Sequence, residues 1–156
     1  MIDIDCDDPN RADVLQLLTE HLADMFATSP PESVHALDPS ALSHESVTFF
    51  TAREDGALLG CGALKEIDAQ QGEIKSMRTI SAARGRGVAA LVLTRIVDVA
   101  RQRRYERLCL ETGTEHFFAP ARRLYSRNGF TECEPFGDYL PDPNSVFMSR
   151  VLNAEG

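Results

Sequence analysis

The sequence predicts one domain, residues 1–156, of mixed α/β class, in which antiparallel strands come first and a parallel strand–helix–strand crossover follows. Three observations predict it. Two apolar or β-branched runs, "SVTFFTARE" and "ALLGCGALKEI", flank Asp55-Gly56, a dipeptide suited to a tight β-hairpin turn. Apolar residues then recur at helical spacing over Val88, Leu91, Val92, Ile96 and Val99, between the strand-like runs "GEIKSMRTI" and "RLCLETG". Strand, helix and strand in that order imply a right-handed crossover with the two strands parallel.

The remaining elements follow in chain order. Asp8 before Pro9 reads as an N-cap with proline at the first helical position, and Val14, Leu18, Leu22 and Met25 form one stripe, so a first helix is expected to run to about Ala27. "TSPPESVHALDPSAL" reads as loop, with a short helical turn after Asp38. The polar turn "DAQQ" separates the hairpin from the third strand, and the crossover helix ends near Arg103. "PARRLYSRN" reads as a helix with Pro120 at its start and Gly129 just past its end, and "SVFMSRVL" is the last strand.

Composition narrows the classes of function. The chain has 156 residues, 43% of them hydrophobic, enough for one sizeable core. Its first ten residues carry four aspartates and nothing resembling a signal peptide, and no apolar run approaches membrane-spanning length, so a cytoplasmic protein without a membrane partner is expected. The four cysteines are widely spaced and no histidine lies at ligand spacing, which argues for reduced, mostly buried thiols and no metal site. A net charge of −8 argues against a nucleic-acid partner. Yet residues 78–127 hold eleven arginines against four acids, a basic middle able to attract a small polyanion.

That basic segment opens with "RTISAARGRGVAA", where Arg84, Gly85, Arg86 and Gly87 immediately precede the crossover helix. A helix N-terminus leaves its first backbone N–H groups unpaired and carries about half a positive charge, so a glycine-lined approach suits a phosphate. A dinucleotide-binding reading also exists, since Gly85-x-Gly87-x-x-Ala90 fits the fingerprint and Glu111 closes the next strand. Its context is wrong: four residues, "SAAR", separate Ile80 from the first glycine, and a hairpin precedes the unit.

The stretch from Arg84 to Ala89 resembles the Arg/Gln-x-x-Gly-x-Gly/Ala signature of the GNAT superfamily of N-acetyltransferases, and "ARRLYSRNGF" is similar to its second signature, a helix bearing Leu-Tyr and ending in Gly-Phe. The resemblance extends from about Ile2 to Leu152. It implies a central mixed sheet of six or seven strands with helices on both faces. It also implies acetyl-CoA as cosubstrate, with the pyrophosphate on the backbone of Arg84, Gly85, Arg86, Gly87, Val88 and Ala89 and the pantetheine along Met77, Arg78 and Thr79. The strands "EIKSMRT" and "LCLETG" would splay apart to admit the thioester. The acceptor would be the amine of a small molecule, an amino-acid derivative or a protein, attacking directly in a ternary complex. One departure stands out: Phe118 occupies the place, seven residues before the tyrosine, where the family often has asparagine.

Tyr125 matches the family's general acid for the departing thiolate, although the spacing of Phe118, Ala121, Leu124 and Tyr125 is equally that of a packed helix face. A base is needed because deprotonating an alkylammonium at pH 7 costs about 4.6 kcal/mol. Glu73, six residues before Thr79, stands where some family members carry a base glutamate, and is otherwise a strand carboxylate beside Lys75. His35, in the loop resembling the acceptor-binding region, is otherwise a surface histidine. A catalytically silent acyl-CoA-binding module on the same scaffold is the alternative function, and a homodimer is left open.

Overall fold

The computed structural model describes residues 1–34 and 39–152. Its strands are β1 (Ile2–Cys6), β2 (Val47–Glu54), β3 (Ala57–Asp68), β4 (Gln71–Thr79), β5 (Arg107–Gly113), β6 (Thr131–Glu132) and β7 (Ser145–Val151). The helices are α1 (Ala12–Thr28), α2 (Pro39–Leu42), α3 (Val88–Gln102) and α4 (Ala119–Arg127). All seven strands form one sheet in the order β1-β2-β3-β4-β5-β7-β6. Every neighbouring pair is antiparallel except β4 and β5, which α3 connects as the expected parallel crossover.

Alternation along the strands builds two cores. Phe50 and Ala52 of β2 and Leu64 of β3 face α3, whose Val88, Val92, Leu93, Ile96 and Val97 are buried against them. Phe49, Cys61 and Ala63 face the other way, onto Val14, Leu17 and Leu18 of α1. Helices therefore cover both faces of the sheet. A third cluster, Cys109, Phe136 and Phe147, lies under the loop between β6 and β7. The hairpin turns where expected, with Asp55 and Gly56 at φ of 51° and 84°, the left-handed pair that an Asp-Gly type I′ turn requires.

Three expectations are corrected. The first helix starts at Ala12 rather than at Pro9, because the Asp8 carboxylate accepts the Asn10 N–H and the Asp8 carbonyl accepts that of Arg11, closing a separate turn. Its buried stripe is Val14, Leu17 and Leu18, while Leu22 and Met25 remain partly exposed. Strand β1, "IDIDC", and the two-residue β6 carry no strand signal strong enough to place from sequence; β1 is held by pairing with β2 from Ile2↔Glu54 to Cys6↔Phe50. The thiols are free, but only Cys61 and Cys109 are buried, and burial pushes them up to about 12 and about 11 respectively. No helix among the described residues is long and apolar enough to cross a membrane.

Candidate active site

The parallel pair is incomplete. β4 and β5 are in register only from Gln71↔Arg107 to Ile74↔Leu110, after which β4 stays with β3 and β5 stays with β7. A bulge accompanies the parting: Cys61 pairs with Arg78 and Ala63 with Lys75, so β4 takes three steps against two on β3. Within it Ser76 holds φ of 57°, a conformation that costs a serine about 1–3 kcal/mol. The splaying that the resemblance implied is thus present in the register. It leaves the β5-facing edge of Met77, Arg78 and Thr79 without a strand partner, beside a groove of about 830 Å³.

At the far end of the groove stands the N-terminus of α3. Its N-cap is Gly87, at φ of 79°, and no side chain caps it. Gly85 has φ of 83°, so both glycines are demanded by backbone conformation. A Cβ at either position would meet no atom within 4 Å, so the space before the loop is open. Arg84, Gly85, Gly87, Val88 and Ala89 line the groove. The Arg86 side chain does not: it reaches away to Glu54, with contacts of 2.9 and 3.0 Å. Arg78 is tied to Asp24 of α1 at 2.6 Å, and its Nε is buried with no partner.

Tyr125 sits in the core, as its spacing allowed, and reaches the groove as well. It is 5% exposed and packs edge-on against Phe130 with ring centroids 5.8 Å apart, yet it also lines the groove. Burial pushes its phenol up from the usual tyrosine range, which keeps it protonated. Glu73 is 5% exposed, and its Oε2 accepts two hydrogen bonds, from Tyr139 Oη at 2.6 Å and from Lys75 Nζ at 3.2 Å. Lys75 also donates to Tyr139 Oη at 2.8 Å and lies 5.5 Å from the centroid of its ring. A second cavity of about 670 Å³ opens on the other side of this knot and shares only Glu73 and Lys75 with the groove.

Sequence reasoning missed four residues here. Tyr139 sits in an aperiodic loop and carries no signal. Lys75 was visible only as a neighbour of Glu73. His21 interrupts the buried face of α1 one turn after Leu17; burial, helped by the Arg78 charge, pushes it down to about 4, so it is neutral. Glu111 ends the apolar run "LCL", and burial pushes its carboxyl up to about 7. Phe118, 8% exposed, occupies the N-cap of α4 and lines the groove. His35 lies outside the described residues, among which no group of acidic, histidine or cysteine side chains is placed to hold a metal.

A forked parallel pair, an uncapped helix behind a glycine loop and a tyrosine at the fork define an acyltransferase. The chain belongs to the acetyltransferase (GNAT) family, whose sequence model matches residues 14–130. It is 52% identical to an uncharacterized N-acetyltransferase, YsnE, of Bacillus subtilis, over 96% of this chain and 99% of that one. A solved Klebsiella pneumoniae structure described as an acyl-CoA N-acyltransferase superposes with a TM-score of 0.80 at 30% identity, covering 98% of this chain and 99% of that one. The same fold, at 18% identity and a TM-score of 0.68 over 97% and 98% of the two chains, occurs in a GNAT acetyltransferase of Elizabethkingia anophelis with acetyl-CoA bound.

Proposed function

We propose that this enzyme moves an acetyl group from acetyl-CoA to the amine of a small molecule, an amino-acid derivative or a protein. One observation carries the reading: the uncapped N-terminus of α3, behind two positive-φ glycines, opens onto a groove that follows the free edge of β4 to Tyr125 and Glu73. The residues present suit the cosubstrate. Orphan amides and open space stand where a pyrophosphate needs donors, supplied by the backbone of Arg84 to Ala89. The backbone of Met77, Arg78 and Thr79 offers an unpaired strand edge to the amide-bearing pantetheine. When bound, the thioester supplies the activated acetyl group.

The chain's own groups supply the rest. Tyr125 holds its proton because it is buried, and that proton serves the departing sulfur. Glu73 stands where the two cavities meet, and the acceptor comes through the second one. That cavity is lined by Glu32, Glu66, Asp138 and Asp142 as well as Lys65, a balance that attracts an amine in its ammonium form. The bound acetyl-CoA in the Elizabethkingia protein supports the donor, and the N-acetyltransferase relatives support an amine acceptor.

The test has two stages. Acetyl-CoA and CoA should raise the melting temperature while NADH does not, and a panel of primary amines should then release free CoA with at least one acceptor. No shift with either CoA species would remove the reading. A shift without turnover on any amine would leave a CoA-binding module in place of an enzyme.

A further inference from the structure

Arg78 turns its backbone and its side chain to different places. The main chain belongs to the unpaired edge of β4, but pairing with Cys61, which packs in the α1 core, directs the side chain toward α1. Glu73 and Lys75 stand opposite Lys65 and Ala63 and share that face. Because Ala63 and Cys61 are two positions apart on β3, Arg78 follows Lys75 by about 7 Å along the strand. One small molecule can therefore touch both the Glu73–Lys75 knot and the Arg78 guanidinium.

That guanidinium is buried and only partly matched. Its side chain is 11% exposed, and among the described residues its one hydrogen bond runs from Nη2 to Oδ2 of Asp24 at 2.6 Å. Asp24 is 42% exposed, so water screens the carboxylate while the cation is held out of solvent. Arg78 Nε has no partner, and neither has the hydroxyl of Ser76, 8% exposed in the bulge. Both residues line the groove together with His21, which burial and the Arg78 charge keep neutral, so its ring carries a single N–H. Cys61 supplies no anion either: its buried thiol stays protonated and donates to the Ser76 carbonyl at 3.3 Å. Buried donors left unpaired are costly unless a ligand takes them. The ligand that suits a guanidinium with a free Nε is a carboxylate.

We propose that the Arg78 side chain, with Ser76 and His21 beside it, holds a carboxylate of the acceptor, so that the preferred acceptor is a free amino acid rather than a plain alkylamine, a diamine or a protein amine. This rests on the acetyl transfer proposed above. The carboxylate sits on Arg78, the nitrogen lies toward the Glu73–Lys75 knot, and the amino-acid side chain extends into the second cavity. A zwitterion meets both fields, because Arg78 takes its negative end and the acids lining the second cavity draw its positive one.

The test follows CoA release from acetyl-CoA with the common amino acids, their primary amides and their decarboxylated amines. The best amino acid should exceed its amide in kcat/KM by about 10²-fold or more. Arg78→Gln should bring that ratio to within about tenfold of unity, mostly through KM, and Arg78→Lys, which keeps a charge beside Asp24 but loses the fork, should fall between. A second readout needs no turnover. N-acetyl amino acids added to the CoA-bound protein should move the arginine ¹⁵N Nε–H resonance that vanishes in Arg78→Lys, and their amides should not. An amide or decarboxylated amine used as well as the amino acid, or a preference that survives in Arg78→Gln, would overturn the assignment. A loss of acetyl-CoA affinity as large as the loss in amino-acid kcat/KM would give the side chain to the cosubstrate instead. If nothing is turned over by the wild type, the transfer reading fails, and a stationary Nε–H resonance then counts separately against Arg78.

Discussion

Asp7, at the β1 end of the sheet, and Glu111, on β5 at the fork, are carboxylates whose surroundings move them in opposite directions. Burial alone would raise Asp7. It is outweighed by hydrogen bonds from Thr51 at 2.7 Å, the Asp8 amide at 2.8 Å, Arg53 at 3.0 Å and Arg11 at 3.2 Å, which together bring it down to about 2. Arg53 continues to Asp13 at 2.7 Å, so one network ties β1, α1 and β2 together. Around Glu111 the balance is reversed. The fork contains a carboxyl raised to about 7, a Ser76 hydroxyl and an Arg78 Nε buried without partners, and strain in the Ser76 backbone. The antiparallel end satisfies its polar groups, and the fork leaves them available; unspent polar groups of this kind cluster where a protein binds and reacts.

Four substitutions can break or sharpen that contrast. The largest effect belongs to Tyr125→Phe, which keeps the edge-on contact with Phe130 but removes the acidic proton. Its kcat should fall by about 10–10³-fold with acetyl-CoA affinity and melting temperature little changed. An acyl donor with a more acidic thiol should recover much of the loss. A variant that melts early and turns over normally would assign Tyr125 to the core alone.

Gly87→Val comes next. At φ of 79° a β-branched residue costs about 1–3 kcal/mol of stability, and its side chain projects into the open space before the α3 amides. Acetyl-CoA affinity should drop tenfold or more, read by calorimetry on folded protein. Unchanged affinity would remove the phosphate cradle.

Asp7→Asn tests the other end. Asp7 has its folded value below the unfolded 3.8, so its stabilisation is present above pH 3.8 and is lost as pH falls from there toward about 2. The variant should be about 1–2 kcal/mol less stable than the wild type at pH 7 in urea melts. That difference should shrink toward pH 2, and acetyl-CoA binding should be intact. Loss of binding would show that the two ends are coupled.

The smallest effect on stability, and of opposite sign, is expected for Glu111→Gln. A glutamate raised from 4.5 to about 7 favours folding below pH 4.5, and that contribution is lost as pH rises to 7, because the unfolded chain releases its proton first. The variant should therefore gain roughly 1 kcal/mol, about 3 °C in melting temperature, at pH 8, with little gain at pH 5. A loss of stability at pH 8 would mean that the fork is no less well satisfied than the Asp7 network.

The two ends also differ in how much of them the sequence disclosed. The hairpin at Asp55-Gly56, the crossover around α3 and the glycine-lined start of that helix were legible because each is a property of consecutive residues. Strand β1 was not, since Asp3 and Asp5 give it a polar reading that only its pairing with β2 corrects. Glu73 was singled out through the family resemblance, six residues before Thr79. Its partner Tyr139 lies 66 positions away, and nothing local in that loop announces the contact.

By itself, then, the order of residues determined the class of fold, the parallel crossover and the glycine-lined helix start, because periodicity, turn chemistry and positive φ act over one to four residues. It also marked Tyr125, through the helix that bears it, without deciding between core and groove. The tertiary structure decided that question by placing the ring in both. It also parted β4 from β5 after Ile74, joined Lys75 and Tyr139 on one oxygen of Glu73, and left Glu111 half-buried beside them. The reason is physical: register is set by which strands compete for an edge, and desolvation by what covers a group, and both depend on segments that meet only in the folded chain.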